Sequence, residues 1–87
     1  MQQFQHLVTD TLGIHARPAG MLVKMSTEIQ STLSMTKEGC SRVADLKKIF
    51  AVMSLGVKSG ETVSVTVTGA DEEAAVIKLK NFFQDNL

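Results

Sequence analysis

From Thr62 to Thr68 hydrophobic and polar residues alternate without a break: Thr62-Val63-Ser64-Val65-Thr66-Val67-Thr68. Successive strand side chains point to opposite faces, so Val63, Val65 and Val67 fall on one buried face. Residues 3–8 alternate more loosely and place Phe4, His6 and Val8 together. Leu33 and Met35 mark a short second strand, Glu38-Gly39 a tight turn, and residues 40–44 a returning third strand. Elsewhere the period lengthens to that of a helix. Residues 16–28 gather Ala19, Leu22, Val23 and Ser26 on one side. Residues 46–55 read as a short second helix, with Asp45 as N-cap and Gly56 as terminator. Asp71-Glu72-Glu73 puts negative charge at the start of a third helix, where the helix dipole favours it. The stripe of that helix is Ala75, Val76, Leu79 and either Phe82 or Phe83. Residues 9–14 and 58–61 connect the elements. The order is β-α-β-β-α-β-α. Strands with one polar face predict an α+β fold, an antiparallel sheet covered on its other face by helices.

Eighty-seven residues make one domain, 1–87, with a small core and no room for a separate substrate domain. No run approaches the roughly 18 apolar residues of a membrane span. The start, Met1-Gln2-Gln3-Phe4-Gln5-His6, lacks the charged-then-apolar order of a signal peptide. Nine basic residues balance nine acidic ones, so no global field favours nucleic acid, and without Trp or Tyr the best base-stacking platforms are missing. Cys40 is alone, which excludes an internal disulfide; it reads as an inert small thiol near a turn. Two histidines with no short spacing to it make no zinc site. A cytoplasmic protein without a cofactor is expected.

The second predicted helix carries more apolar residues than one face needs: Leu46, Ile49, Phe50, Ala51, Val52, Met53 and Leu55. A helix on a sheet buries roughly half its circumference. Either a small domain buries most of them, or some form a docking patch, for which Met and Phe are adaptable contacts. Periodicity favours burying 46, 49, 50 and 53 and does not choose which are exposed.

The chemistry concentrates in Gly13-Ile14-His15-Ala16-Arg17-Pro18-Ala19. Proline is welcome in a first helical turn, where its missing N–H has no partner to lose. His15 therefore sits at or just before a helix N-terminus, with Ala16 and Pro18 shaping an end whose unpaired N–H groups favour phosphate. Imidazole, with a reference pKa of about 6.5, is a competent nucleophile near neutral pH. Arg17 adds a planar fork suited to phosphate oxygens. A histidine before a helix is usually a cap or a surface residue; the cluster is what points to phosphoryl transfer. Asp10 is the one other titratable group nearby, and its loop position leaves its reach open. His6, in a strand pattern, reads as a half-buried sheet residue.

This first block, with Leu46-Lys47-Lys48-Ile49-Phe50-Ala51-Val52-Met53-Ser54-Leu55-Gly56 and Gly69-Ala70-Asp71-Glu72 following in order, resembles the HPr family, the histidine-containing phosphocarriers of the bacterial phosphoenolpyruvate–sugar phosphotransferase system. The resemblance spans essentially the whole chain. It implies an open-faced β-sandwich, a four-stranded antiparallel sheet with three helices on one side. It implies that enzyme I phosphorylates Nδ1 of His15, that Arg17 assists at the phosphoryl group, and that enzyme IIA domains receive it. It also implies that Ile49, Phe50 and Met53 face the partners. Three departures stand out. Lys48 occupies the position where many Gram-positive relatives carry a serine phosphorylated by a dedicated kinase, and a lysine cannot be phosphorylated there. The segment between Gly39 and Leu46 is about two residues longer than usual, which predicts a bulge near Arg42. Leu12 replaces a small polar residue before the glycine.

The leading reading is a stoichiometric phosphoryl carrier with a covalent phosphohistidine, working as a monomer with enzyme I and enzyme IIA, without nucleic acid or membrane insertion. Nitrogen-related and dihydroxyacetone-kinase branches are alternatives within that class. The rivals outside it are a regulatory binding module of the same fold, which has no need of His15 and Arg17, and a ferredoxin-like domain with a buried ligand pocket.

Overall fold

The computed structural model describes all 87 residues. The elements are β1 (Gln2–Leu7), α1 (Ala16–Thr27), β2 (Thr32–Lys37), β3 (Val43–Asp45), α2 (Ile49–Ser54), β4 (Thr62–Thr68) and α3 (Glu72–Asn86), in the order the pattern predicts. Every strand pair is antiparallel, and the sheet order is β1-β4-β2-β3. The strictly alternating strand β4 is thus central: Phe4 pairs with Val65 on one side and Leu33 with Val67 on the other. Val63, Val65, Val67, Leu33 and Met35 lie buried beneath the helices, in one core with Leu22, Leu79 and Phe83. The other face is open and largely polar; there the Gln3 side-chain amide donates to Ser64 Oγ at 3.0 Å. This is a four-stranded antiparallel open-faced sandwich with three helices.

Phe83, not Phe82, takes the fully buried position of the α3 stripe. Its ring meets Phe4 and His6 edge-on, with centroids 5.6 and 5.4 Å apart. His6 is half-buried, as its strand pattern predicts. The start of α3 is tied elsewhere in the chain: the Asp71 carboxylate accepts the backbone N–H of Gln30 (3.1 Å) and of Ser31 (2.9 Å), together with the Ser31 hydroxyl. The Ser31 hydroxyl bond is the main reason the Asp71 carboxyl is held below the usual aspartate range, with the two backbone bonds adding to it.

Several boundaries move, and the largest shifts, at the third strand and at the start of α2, have a local reason. Strand β1 ends one residue early, although Val8 stays buried and its N–H donates to the Glu61 carbonyl at 2.9 Å. The third strand is Val43–Asp45 and not residues 40–44. The Thr36 hydroxyl lies 3.2 Å from the Cys40 carbonyl and 2.8 Å from that of Arg42, which holds residues 40–42 outside the ladder. The register from Thr36–Val43 to Ser34–Asp45 runs one-to-one, so the expected bulge is not in the ladder and the longer segment is taken up in the turn. The turn sends Arg42 toward α2, where Nη1 donates to the Ser54 carbonyl at 3.1 Å, a favourable partner for a helix C-terminus.

Helix α2 begins three residues later than its apolar run. Asp45 does not cap it: Asp45 Oδ1 accepts the Lys47 N–H (2.9 Å) and its carbonyl accepts that of Lys48 (3.0 Å), closing a turn. Lys48 becomes the N-cap residue, without a capping side chain, and Leu46 is fully buried in the turn before it.

Candidate functional site

The loop that presents His15 is held from several directions. Gly13 has φ +67°, and a Cβ there would stand 2.3 Å from the Val57 carbonyl oxygen, so the position needs glycine on both counts. That same oxygen accepts the Ile14 N–H at 3.0 Å. Asp10 folds the preceding residues: Oδ1 accepts the Leu12 N–H and its carbonyl accepts that of Gly13, both at 2.9 Å. The Leu87 carbonyl in turn accepts the N–H groups of Thr9 and Asp10 at 2.6 and 3.2 Å. The buried side chain of Ile14 anchors the residue before the histidine.

His15 is the N-cap residue of α1, in extended backbone conformation (φ −101°, ψ −177°), and its side chain caps nothing. Its carbonyl accepts the Ala19 N–H at 2.9 Å. The amides of Ala16 and Arg17 meet no acceptor, and Pro18 has none to offer. The first turn therefore presents open donors beside a free imidazole that is 35% exposed. Pro18 is buried under this turn and Ala16 is exposed.

A cleft of about 300 Å³ opens here, lined by Asp10, His15, Arg17, Pro18, Met21 and Asn86. No other cavity is found in the structure, and no buried pocket of the kind a ferredoxin-like ligand domain needs. Arg17 is exposed and makes no ion pair or side-chain hydrogen bond, so its guanidinium is available to an incoming anion. Asp10 Oδ1 lies 3.9 Å from His15 Nε2. A free imidazole, two free amides and an unengaged cation thus share one open cleft, an arrangement chemically suited to a phosphoryl dianion approached from solvent. No three His, Cys, Asp or Glu side chains gather where they could hold a metal ion.

The structure brings His15, Arg17 and Pro18 together as the sequence predicts, answers the reach of Asp10 and adds two residues. Asp10 stands beside the imidazole without a direct hydrogen bond to it. Met21 follows Arg17 by one helical turn, a spacing that could have flagged it. Asn86 comes from the far end of the chain, and no local pattern announces it.

The apolar surface is partly as expected. Phe50 is 85% exposed and Met53 is 41% exposed. Ile49 is not fully presented: it is half-buried against the core, and its Cδ1 lies 3.9 Å from where a Cβ of Gly20 would be, in the contact between α1 and α2. Leu12 is 71% exposed and, with Met21, adds apolar surface on the α1 side.

Comparison with known proteins agrees with this fold. The profile of a family described as the PTS HPr component phosphorylation site matches residues 2–85. The phosphocarrier protein HPr of Mycoplasma genitalium is 33% identical over 86 residues, covering 99% of this chain and 97% of that protein. A solved histidine-containing phosphocarrier protein from Mycoplasma superposes with a TM-score of 0.90 at 28% identity, over 97% of this chain and 93% of the other. Crh of Bacillus subtilis, a catabolite repression protein solved as a swapped dimer, is 31% identical with a TM-score of 0.75, over 100% of this chain and 98% of its own.

Proposed function

Because this chain belongs to the HPr family of phosphocarriers, we propose that it accepts a phosphoryl group from enzyme I on His15 and hands it to the enzyme IIA domains of sugar transporters. The observation that carries the reading is the free imidazole at the start of α1, beside the unpaired amides of Ala16 and Arg17 and the unengaged guanidinium of Arg17.

In the step proposed, the Nδ1 lone pair of His15 attacks phosphorus as the bond to the donor breaks, and the donor leaves with the bonding pair. The amides of Ala16 and Arg17 take phosphoryl oxygens by hydrogen bonds, and the Arg17 guanidinium adds charge-assisted ones. Onward transfer reverses the roles, with His15 as the leaving group. The protein is changed and restored once per transfer, so it acts as a relay and not as a turnover enzyme. Phe50, Met53 and the exposed part of Ile49 form the surface on which both partners sit, and α2 packs beside α1 through Ile49. Lys48, exposed at the N-cap of α2, removes serine phosphorylation at that position.

No helix is long and apolar enough to cross a membrane. The compartment proposed for the relay is the cytoplasm. The working unit proposed is the monomer, although the Crh relative forms a swapped dimer. Incubation with enzyme I and labelled phosphoenolpyruvate tests the proposal: an acid-labile, base-stable phosphoprotein supports it, and absence of label under conditions that charge another HPr rejects it.

A further inference from the structure

We propose that Asp10 is a positioning residue for His15: its carboxylate holds the proton on Nε2 and so keeps the Nδ1 lone pair free to receive and release the phosphoryl group. This deepens the reading of His15 as phosphoryl acceptor and rests on it. A neutral imidazole carries one proton on either nitrogen, and the nitrogen that carries it cannot attack. A carboxylate beside one nitrogen selects the tautomer protonated there. Asp10 is the one carboxylate lining the cleft, and its Oδ1 lies 3.9 Å from Nε2.

The placement is built into the loop. Asp10 is anchored by its own N–H on the Leu87 carbonyl, by its carbonyl on the Gly13 N–H, and by Oδ1 on the Leu12 N–H. Its second carboxylate oxygen, Oδ2, makes no hydrogen bond or ion pair. The 3.9 Å separation exceeds a direct hydrogen bond. Contacts of this kind tighten when the reacting complex forms, and a small rotation of the carboxylate or one bridging water closes this one.

The same contact serves the outward step. When Nδ1 takes the phosphoryl group and Nε2 keeps its proton, the ring is cationic. When the phosphoryl group moves on, the P–N bond breaks with its electron pair returning to Nδ1, and neutral imidazole leaves. Loss of the Nε2 proton in between would force an imidazolate to leave, which is far harder. Asp10 keeps that proton in place across the cycle, so no net proton moves. Nε2 and Nδ1 are separate atoms of the ring, so a carboxylate at Nε2 does not compete for the lone pair on Nδ1.

Asp10→Asn tests this, since its Oδ1 still closes the turn with Leu12 while the charge is gone. Asp10→Ser keeps the turn through its hydroxyl and gives a second, independent variant. The first readout needs no phosphoryl donor: ¹⁵N spectra of the histidine side chains, with the His15→Ala spectrum assigning His15. The expected result is the Nε2–H tautomer in the native protein and a mixture of both tautomers in the two variants, each unfolding cooperatively. The second readout is the rate of transfer from the phosphorylated protein to an enzyme IIA domain, expected to fall about 10-fold or more. An unchanged tautomer in both variants overturns the role of Asp10. If the native protein takes no label on His15, the carrier reading fails, and the spectra still judge the tautomer on their own.

Discussion

The Cα of Gly13 and the carbonyl oxygen of Val57 are so close that a Cβ on Gly13 would stand 2.3 Å from that oxygen. The same oxygen accepts the Ile14 N–H one residue before the histidine. The contact fixes the loop that aims His15 and joins it to the segment leaving α2. Gly13→Ala must leave the φ of +67° or displace residues 57 and 58. It is expected to lower stability by about 2 kcal/mol, read by urea denaturation, and to reduce phosphoryl uptake on His15. A variant as stable and as readily phosphorylated as the native protein would show that the loop does not depend on this contact.

Leu46 and Phe50 belong to one apolar run and should behave in opposite ways. Leu46 is fully buried and Phe50 is 85% exposed. Leu46→Ala is expected to cost about 2–5 kcal/mol of stability. Phe50→Ala should change stability by about 0.5 kcal/mol or less while raising the concentration of protein that half-saturates enzyme I. Denaturation curves and saturation kinetics on both variants separate the two roles.

Arg17 is exposed and unengaged, so its removal should leave the unfolding midpoint alone. A charge-assisted hydrogen bond to a phosphoryl oxygen is worth about 1.5–3 kcal/mol, which predicts a transfer rate about 10-fold or more lower in Arg17→Ala. Arg17→Lys keeps the charge but not the fork, and should recover only part of the loss.

Asp71 ties the start of α3 to Gln30 and Ser31, and its folded pKa lies below the ordinary aspartate value, chiefly through the Ser31 hydroxyl bond. A lowered folded pKa means that the ionised carboxyl contributes stability above the unfolded value, about 3.9, and that this contribution is lost as pH falls through the folded value. Glu72 and Glu61 are shifted the same way, by the amino terminus and the Gly69 N–H for Glu72, and by the Lys58 N–H and the Lys37 ammonium for Glu61. Stability should therefore drop below about pH 4. Asp71→Asn should be less stable at neutral pH and show a shallower acid dependence, measured as denaturation midpoints from neutral to acidic pH.

The parts of the fold legible in the sequence are those where one local signal decides. Strand β4 alternates strictly, and nothing competes with that pattern. The α1 start is fixed by Pro18 together with the glycine before the histidine. What escaped depends on side chains that serve a neighbour in space. Asp45 looks like an N-cap, but its carboxylate closes a turn on Lys47, and α2 starts three residues later. Thr36 draws the carbonyls of Cys40 and Arg42 out of the ladder, which no period along residues 40–44 reveals. Helix α2 has only six residues, of which Val52 alone is fully buried, so its period says little about Phe50. The cleft follows the same rule. Its histidine, arginine and proline are adjacent in sequence, whereas Asp10 and Asn86 arrive through the loop and the last turn of α3.

The most direct test of the carrier reading is to locate the phosphoryl group after charging the native protein with enzyme I and phosphoenolpyruvate. Phosphorus NMR with peptide mapping should place it on Nδ1 of His15 alone, and His15→Ala, folded and cooperative, should carry none. A phosphoryl group on His6 or a serine, or one retained by His15→Ala, would contradict it.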